Sequence, residues 1–271
     1  MFTIMPTTKA ILATTLNQRC PRGRTAVFAT GGLDSTALAC LIRASQPQLI
    51  FGAVQDSGQH NYTTSAINAC QKISTLLELN LTVVPITGKA WLKSFLHLAQ
   101  TLKTPMTDTD LPAAALLFQK ARDLGLNTAL SGMGSDNIFN LPKKQLTTFI
   151  RSEGISSLKV HADIAKLHDI TFVCPFLEKP MLDHALSTPL KARQGKKALL
   201  AIFKDHPPLL ELMRNRTPAH SIIPLNFLLP LKALLKKTPP TSNPVEIFTQ
   251  AAMLAWQHFH PSSAHAHRPD A

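Results

Sequence analysis

The chain is poor in cysteine, aromatics and acid. Four cysteines in 271 residues (Cys20, Cys40, Cys70 and Cys174) show no C-x-x-C spacing, which argues against a disulfide framework or a cysteine-built zinc site. Cys40 and Cys70 fall within helical patterns, so free, mostly buried thiols in a reducing cytoplasm are expected. No stretch carries the roughly 20 uninterrupted apolar residues of a membrane span. The apolar run at residues 10–16 is short and broken by Thr14 and Thr15, so it makes a poor signal peptide. The expectation is a cytoplasmic protein with no membrane partner. Aromatics are 6% of the chain, and no basic run is interleaved with them, so the chain lacks the composition of an RNA-binding patch. Asp and Glu number 16 against 28 Lys and Arg, for a net charge of +12. Clusters at 22–24, 143–144, 191–197 and 232–237 spread that charge. It reads either as a solvated basic surface or as attraction for a polyanion such as ATP, an acidic peptide or RNA.

What is present is a chain that is 45% hydrophobic, enough for one sizeable core or one α/β domain with a helical extension. Apolar runs at 25–30, 48–54, 81–86 and 127–130 read as strands, separated by helical patterns at 33–44, 63–79, 91–102 and 112–124. That alternation predicts a doubly wound parallel sheet with helices on both faces. Beyond residue 141 the pattern is mostly helical, at 145–150, 156–168, 179–186 and 196–204. Prolines then punctuate 207–244, where 238–244 reads as an exposed linker, and a last helix follows at 245–257. The expected organisation is an N-terminal extension at 1–24, a main domain at 25–206, a Pro-rich and helical extension at 207–257 and a disordered tail at 258–271. His258, His260, His265 and His267 in that tail could hold a divalent metal, but Pro261, Ser262 and Ser263 favour an unstructured polar segment.

The most informative segment is Ala29-Thr30-Gly31-Gly32-Leu33-Asp34-Ser35-Thr36. A strand runs into a Gly-Gly turn that opens a helix, so backbone N–H groups and the helix dipole favour an anion there. The hydroxyls of Thr30, Ser35 and Thr36 add donors. Asp34 sits among them, and a carboxylate beside phosphate calls for a cation, most simply Mg²⁺. No Gly-Lys-Ser/Thr follows and the Gly-x-Gly-x-x-Gly spacing is missing, which excludes a Walker loop and a dinucleotide fingerprint. The segment resembles the Ser-Gly-Gly-x-Asp-Ser pyrophosphate loop of the N-type ATP pyrophosphatases, with Thr30 in the place of the first Ser. A second loop, Leu130-Ser131-Gly132-Met133-Gly134-Ser135-Asp136-Asn137-Ile138-Phe139, repeats the plan: a strand ends, glycines turn the chain and an Asp follows. Alone, Asp136 reads as a helix cap. Paired with the first loop, it reads as a second Mg²⁺ ligand.

From Pro105 to Phe139 the chain resembles the synthetase domain of the asparagine synthetases, whose corresponding run is Leu-Ser-Gly-Glu-Gly-Ala/Ser-Asp-Glu-Leu-Phe. Cys174-Pro175-Phe176-Leu177-Glu178 resembles the family's Pro-Phe-Leu-Asp helix, and Gly195-Lys196-Lys197-Ala198-Leu199 its Lys-x-Ile-Leu-Arg segment. The resemblance implies a five-stranded, Rossmann-like sheet of the adenine nucleotide alpha hydrolase type and the use of ATP and Mg²⁺. It also implies roles: Thr30, Gly31, Gly32 and Ser35 on pyrophosphate, Asp34 and Asp136 on the metal, Gly132 near the nucleotide, and Lys196 catalytic, on the phosphates.

The departures are equally informative. The family's Glu between the two glycines is Met133, the acid after the metal Asp is Asn137, and Val160, Asp163, Thr171 and Val173 stand where its basic residues and Glu would be. Glu178 replaces an Asp and Leu200 an Arg. The ATP half looks kept, and the half that recognises aspartate and handles ammonia does not. Only the extension at 1–24 precedes the first strand, so no glutaminase domain like the family's is expected on this chain. The expected reaction is therefore AMP-forming activation of a small-molecule or peptide carboxylate. Capture would be by free ammonia, by ammonia from a protein acting in trans, or by an internal amine, as in β-lactam or lasso-peptide cyclising relatives. His161 or His168 could act as base. A tRNA-modifying adenylating enzyme and a non-catalytic nucleotide-binding protein are the alternatives.

Overall fold

Five short apolar segments pair into one parallel sheet: β1 (Thr25–Phe28), β2 (Gln48–Val54), β3 (Leu81–Ile86), β4 (Thr128–Leu130) and β5 (Thr171–Val173), in the order β3-β2-β1-β4-β5. The computed structural model describes residues 6–55, 60–214, 227, 228, 231 and 243–260. Because side chains alternate along a strand, Val27, Leu49, Leu130 and Val173 enter one core, and Ala26, Ile50 and Ala129 enter another on the opposite face. Both faces are covered, as a parallel sheet requires.

The first face is covered by α1 (Thr8–Arg19), α2 (Leu33–Leu41) and α3 (His60–Leu77), and later in the chain by α6 (Ser135–Asn140), α9 (Lys179–Ser187), α11 (Lys197–Leu200) and α12 (Pro207–Arg214). The second face holds α4 (Gly88–Thr101), α5 (Leu111–Asp123), α8 (Ile155–Lys166) and α13 (Pro244–Phe259). The chain starts at the centre of the sheet, winds out to β3, then crosses back to lay β4 on the other side of β1. The sheet is therefore doubly wound, and its direction reverses between β1 and β4. Ligands of such sheets bind in the crevice at that reversal, outside the carboxyl ends of the strands. Both Gly-rich loops leave those two strands at that end.

Several expectations need correction. The strand patterns at 25–30, 48–54, 81–86 and 127–130 all form strands, and β5 forms at residues where no strand pattern was read. The helix expected at 196–204 is broken. It becomes α10 (Leu190–Arg193), a 3₁₀ turn at Gln194–Lys196, α11 and a second 3₁₀ turn at Ala201–Asp205. Gly195 (φ 75°) and Lys196 (φ 56°) adopt left-handed backbone there, which no α-helix accommodates. The helix expected at 145–150 is α7 (Lys143–Phe149), which runs through a π turn at Ile150–Gly154 into α8.

The ends of the chain carry more structure than composition suggested. Thr7 caps α1 by accepting the Ala10 N–H at 3.2 Å, and Leu12 and Leu16 of that helix are fully buried. α13 packs on α4 through Phe248 against Trp91 and Phe95, and Trp256 donates its indole N–H to the Leu102 carbonyl at 3.0 Å. Its helix runs to Phe259, past the expected start of the tail. The tail beyond His260 and most of the expected linker at 238–244 lie outside the described residues.

Candidate active site

The loop after β1 is built by its own hydroxyls. Ser35 Oγ accepts the Thr30 N–H at 3.2 Å, Thr30 Oγ1 accepts the Gly32 N–H at 3.1 Å, and Thr36 Oγ1 donates to the Gly32 carbonyl at 2.6 Å. Gly31 turns with φ 64°, and a Cβ on it would stand 3.1 Å from Ala69 Cβ and 3.2 Å from Cys70 Sγ. α2 opens at Gly32 with no side-chain cap, so its first-turn N–H groups are left for an anion. The turn is held closed from within by the N–H groups of Thr30 and Gly32, while those of the first turn of α2 stay available.

The second loop packs directly on the first. A Cβ on Gly132 would lie 2.9 Å from Asp34 Cβ and 3.3 Å from the Ser35 nitrogen, so only glycine lets the loops meet this closely. Ser135, buried in the first turn of α6, donates to Asp34 Oδ1 at 2.7 Å. The sequence reading gave Ser135 no role, although its placement beside Asp136 mirrors that of Ser35 beside Asp34.

Lys196 completes the group. Its ammonium lies 2.7 Å from Asp34 Oδ2 and 2.8 Å from Asp136 Oδ1. Three residues far apart in sequence thus converge on one point, and that point is occupied by a cation. Asp34 is largely buried, with its side chain 21% exposed, whereas Asp136 is 78% exposed. Burial raises the Asp34 carboxyl above its ordinary range, against the opposing pull of Lys196 and Ser135. Two carboxylate oxygens converging on one position are a hard donor set of the kind Mg²⁺ takes when phosphates complete its shell. No group of three or more His, Cys, Asp or Glu gathers among the described residues. The residues present fit Mg²⁺ shared with a polyphosphate.

Lys196 is positioned by a neighbour that the sequence reading counted only as part of a basic cluster. Arg193 is buried, 5% exposed, and its guanidinium donates to the carbonyls of Ile138, Leu141 and Thr188. Gly195 N–H adds a bond to Asn140 Oδ1 at 3.3 Å. The turn carrying Lys196 is thereby clamped to the end of α6, the helix that carries Asp136.

Other residues fall elsewhere. Met133 lines a cavity beside the site, its carbonyl accepting from Cys174 Sγ at 3.1 Å and its sulfur from Ser157 Oγ at 3.5 Å. Burial pushes the Cys174 thiol up to about 12, so it stays a neutral thiol. Glu178 pairs with Arg19 at 3.4 Å and Asp163 with Lys166 at 3.3 Å, both as surface contacts. Of the two histidines considered as bases, His168 lies just before β5, at the amino end of the sheet and opposite the loops. That position removes it as a candidate. His161 stacks on Phe172 with its Nδ1 2.9 Å from the Ser157 carbonyl, and burial lowers its pKa.

No curated protein matches the chain. Among solved structures, the NMN synthetase of Francisella tularensis aligns over 97% of this chain and 95% of its own, with 12% identity and a TM-score of 0.42. The family model described as asparagine synthase matches residues 10–153, which takes in α1, both Gly-rich loops, Asp34 and Asp136. The chain belongs to the asparagine synthase family.

Proposed function

We propose that this protein is an ATP-dependent, AMP-forming carbon–nitrogen ligase. The observation that carries the reading is the convergence of Asp34, Asp136 and Lys196 at the mouth of the β1/β4 crevice. In the reaction a substrate carboxylate oxygen bonds to the α-phosphorus of ATP while the bond to the pyrophosphate oxygen breaks. An amine nitrogen then bonds to the activated carbonyl carbon, AMP leaves, and the ammonium form of the amine gives up two protons in total. Mg²⁺, held by Asp34 and Asp136, would neutralise phosphate charge and ease the departure of pyrophosphate. The loop at Thr30, Gly31, Gly32 and Ser35, with the uncapped start of α2, cradles the departing anion. Gly132 keeps the second loop close to the nucleotide.

Lys196 has two partners to serve. In the absence of nucleotide its ammonium neutralises both carboxylates, each within hydrogen-bonding distance. With the carboxylates engaged by a metal, its ammonium would be free to stabilise charge on the leaving phosphates. A flexible four-carbon stem suits that exchange. The half of the site that differs from the family matches the same reading: Met133 can neither accept a proton nor orient ammonia, so ordinary asparagine formation is not the reaction.

Exchange of labelled pyrophosphate into ATP, assayed against a panel of carboxylic acids, tests the proposal. Exchange is expected with at least one acid, and Asp34→Ala and Asp136→Ala are each expected to lower it by about 100-fold or more. Nucleotide binding with no exchange under any acid would contradict the ligase reading and favour a protein that binds nucleotide without chemistry. Strongly salt-dependent binding of tRNA would instead point to an RNA substrate.

A further inference from the structure

Beside the nucleotide loops lies a cavity of about 500 Å³, within the size range of small-molecule sites. One wall is the loop after β4, through Met133, Gly134 and Asn137, so the cavity adjoins the loop that carries Asp136. The facing wall comes from the π turn at Ile150–Gly154 and the start of α8, through Glu153 and Ser157, and from residues 107–109 ahead of α5. π turns are frequently found at functional sites, where they aim side chains that a regular helix would not.

The charge of this lining is the reverse of the molecule's. The chain carries 28 Lys and Arg against 16 acids, yet among the described residues no basic side chain lines the cavity, and the charged side chains that do are Asp108 and Glu153. Among the described residues neither carboxylate is in an ion pair. Asp108 Oδ1 accepts the Asp110 N–H at 2.9 Å, which fixes its orientation. Between the acids the lining is apolar at Met133, Phe149 and Leu177 and neutral polar at Asn137 and Ser157. An incoming carboxylate would meet two like charges with no counter-charge to offset them. An alkylammonium would meet an apolar wall for its carbon chain and a carboxylate for its head.

We infer that this cavity binds the amine substrate, a primary alkylamine in its ammonium form. The inference rests on the ligase reading and supplies its missing half. Met133, which departs from the family's Glu, becomes the apolar floor for the amine's carbon chain. Asp108 and Glu153 hold its charge until activation of the acyl group is complete.

The test is calorimetric titration of the full chain, without nucleotide, with 1,5-diaminopentane and separately with aspartate. Saturable binding of the diamine is expected, at least tenfold weaker in Asp108→Asn and in Glu153→Gln, with no binding of aspartate. Glu153 is exposed, so its variant keeps the fold even if substitution of the half-buried Asp108 disturbs it. Absence of diamine binding, equal binding in the folded Glu153→Gln variant, or binding of aspartate would overturn the inference. Because the titration needs no ATP, its outcome is separable from that of pyrophosphate exchange. Exchange without diamine binding removes only the amine site. Diamine binding without exchange removes the ligase reading, and with it the amine's role as substrate, while leaving the cavity an amine-binding site.

Discussion

Gly132 has no room for a side chain. The Cβ of an alanine there would press on Asp34 Cβ at 2.9 Å and on the Ser35 backbone, and neither can swing away as the tip of a flexible side chain would. Gly132→Ala is expected to cost about 1–3 kcal/mol of stability through overpacking and to weaken ATP binding more than a distant substitution of equal cost. Urea denaturation paired with nucleotide titration checks both. At this scale the sequence was partly legible. The glycines and Asp34 stand out because a strand, a turn and a helix start are written in consecutive residues. Ser135 and Arg193 did not stand out, because their partners lie 101 and 55 residues away. A buried Arg in a basic stretch looks the same as its solvated neighbours until the chain folds.

Between elements, the clamp formed by Arg193 carries the site. It ties the end of α6 to the turn before α11, so the backbone segments that carry Asp136 and Lys196 are held together. Arg193→Met fills similar space but leaves the carbonyls of Ile138 and Leu141 without their donor. A loss of about 1–3 kcal/mol is expected from those buried acceptors. With Lys196 freed from its turn, pyrophosphate exchange should fall further than the stability loss alone explains. Equal exchange in a folded Arg193→Met variant would show that the turn holds Lys196 unaided. Periodicity had suggested one helix through 196–204. It could not reveal the break, because Lys196 in a left-handed conformation is a consequence of the clamp and of Gly195, and no local propensity favours it. β5 is as short as β4, but Thr171 is exposed and Phe172 half-buried, so it lacks the buried run of β4 and is defined by its pairing with β4.

At the level of the whole molecule, strand order decides where the chemistry falls. The reversal between β1 and β4 brings together two loops that each carry an Asp at the start of a helix, and the turn after α10 delivers Lys196 to both from 162 residues beyond Asp34. The alternation of strands and helices was enough to read the doubly wound class and the crevice from sequence. The pairing of Asp34 with Asp136 was legible in the two loops. Lys196 entered only through resemblance to a family, as a ligand of the phosphates and not as a partner of the carboxylates, and residue 196 lies outside the stretch the family model matches. That its ammonium nonetheless meets both carboxylates supports the site independently of family membership. The central claim is that Asp34 and Asp136 form one cation site serving a nucleotide. Calorimetric titration of ATP into the wild type and into Asp136→Asn, each with and without Mg²⁺, tests it most directly. The wild type should bind ATP at least tenfold more tightly with Mg²⁺, and Asp136→Asn should lose that gain while remaining folded. A gain from Mg²⁺ that is equal in both proteins would contradict the claim.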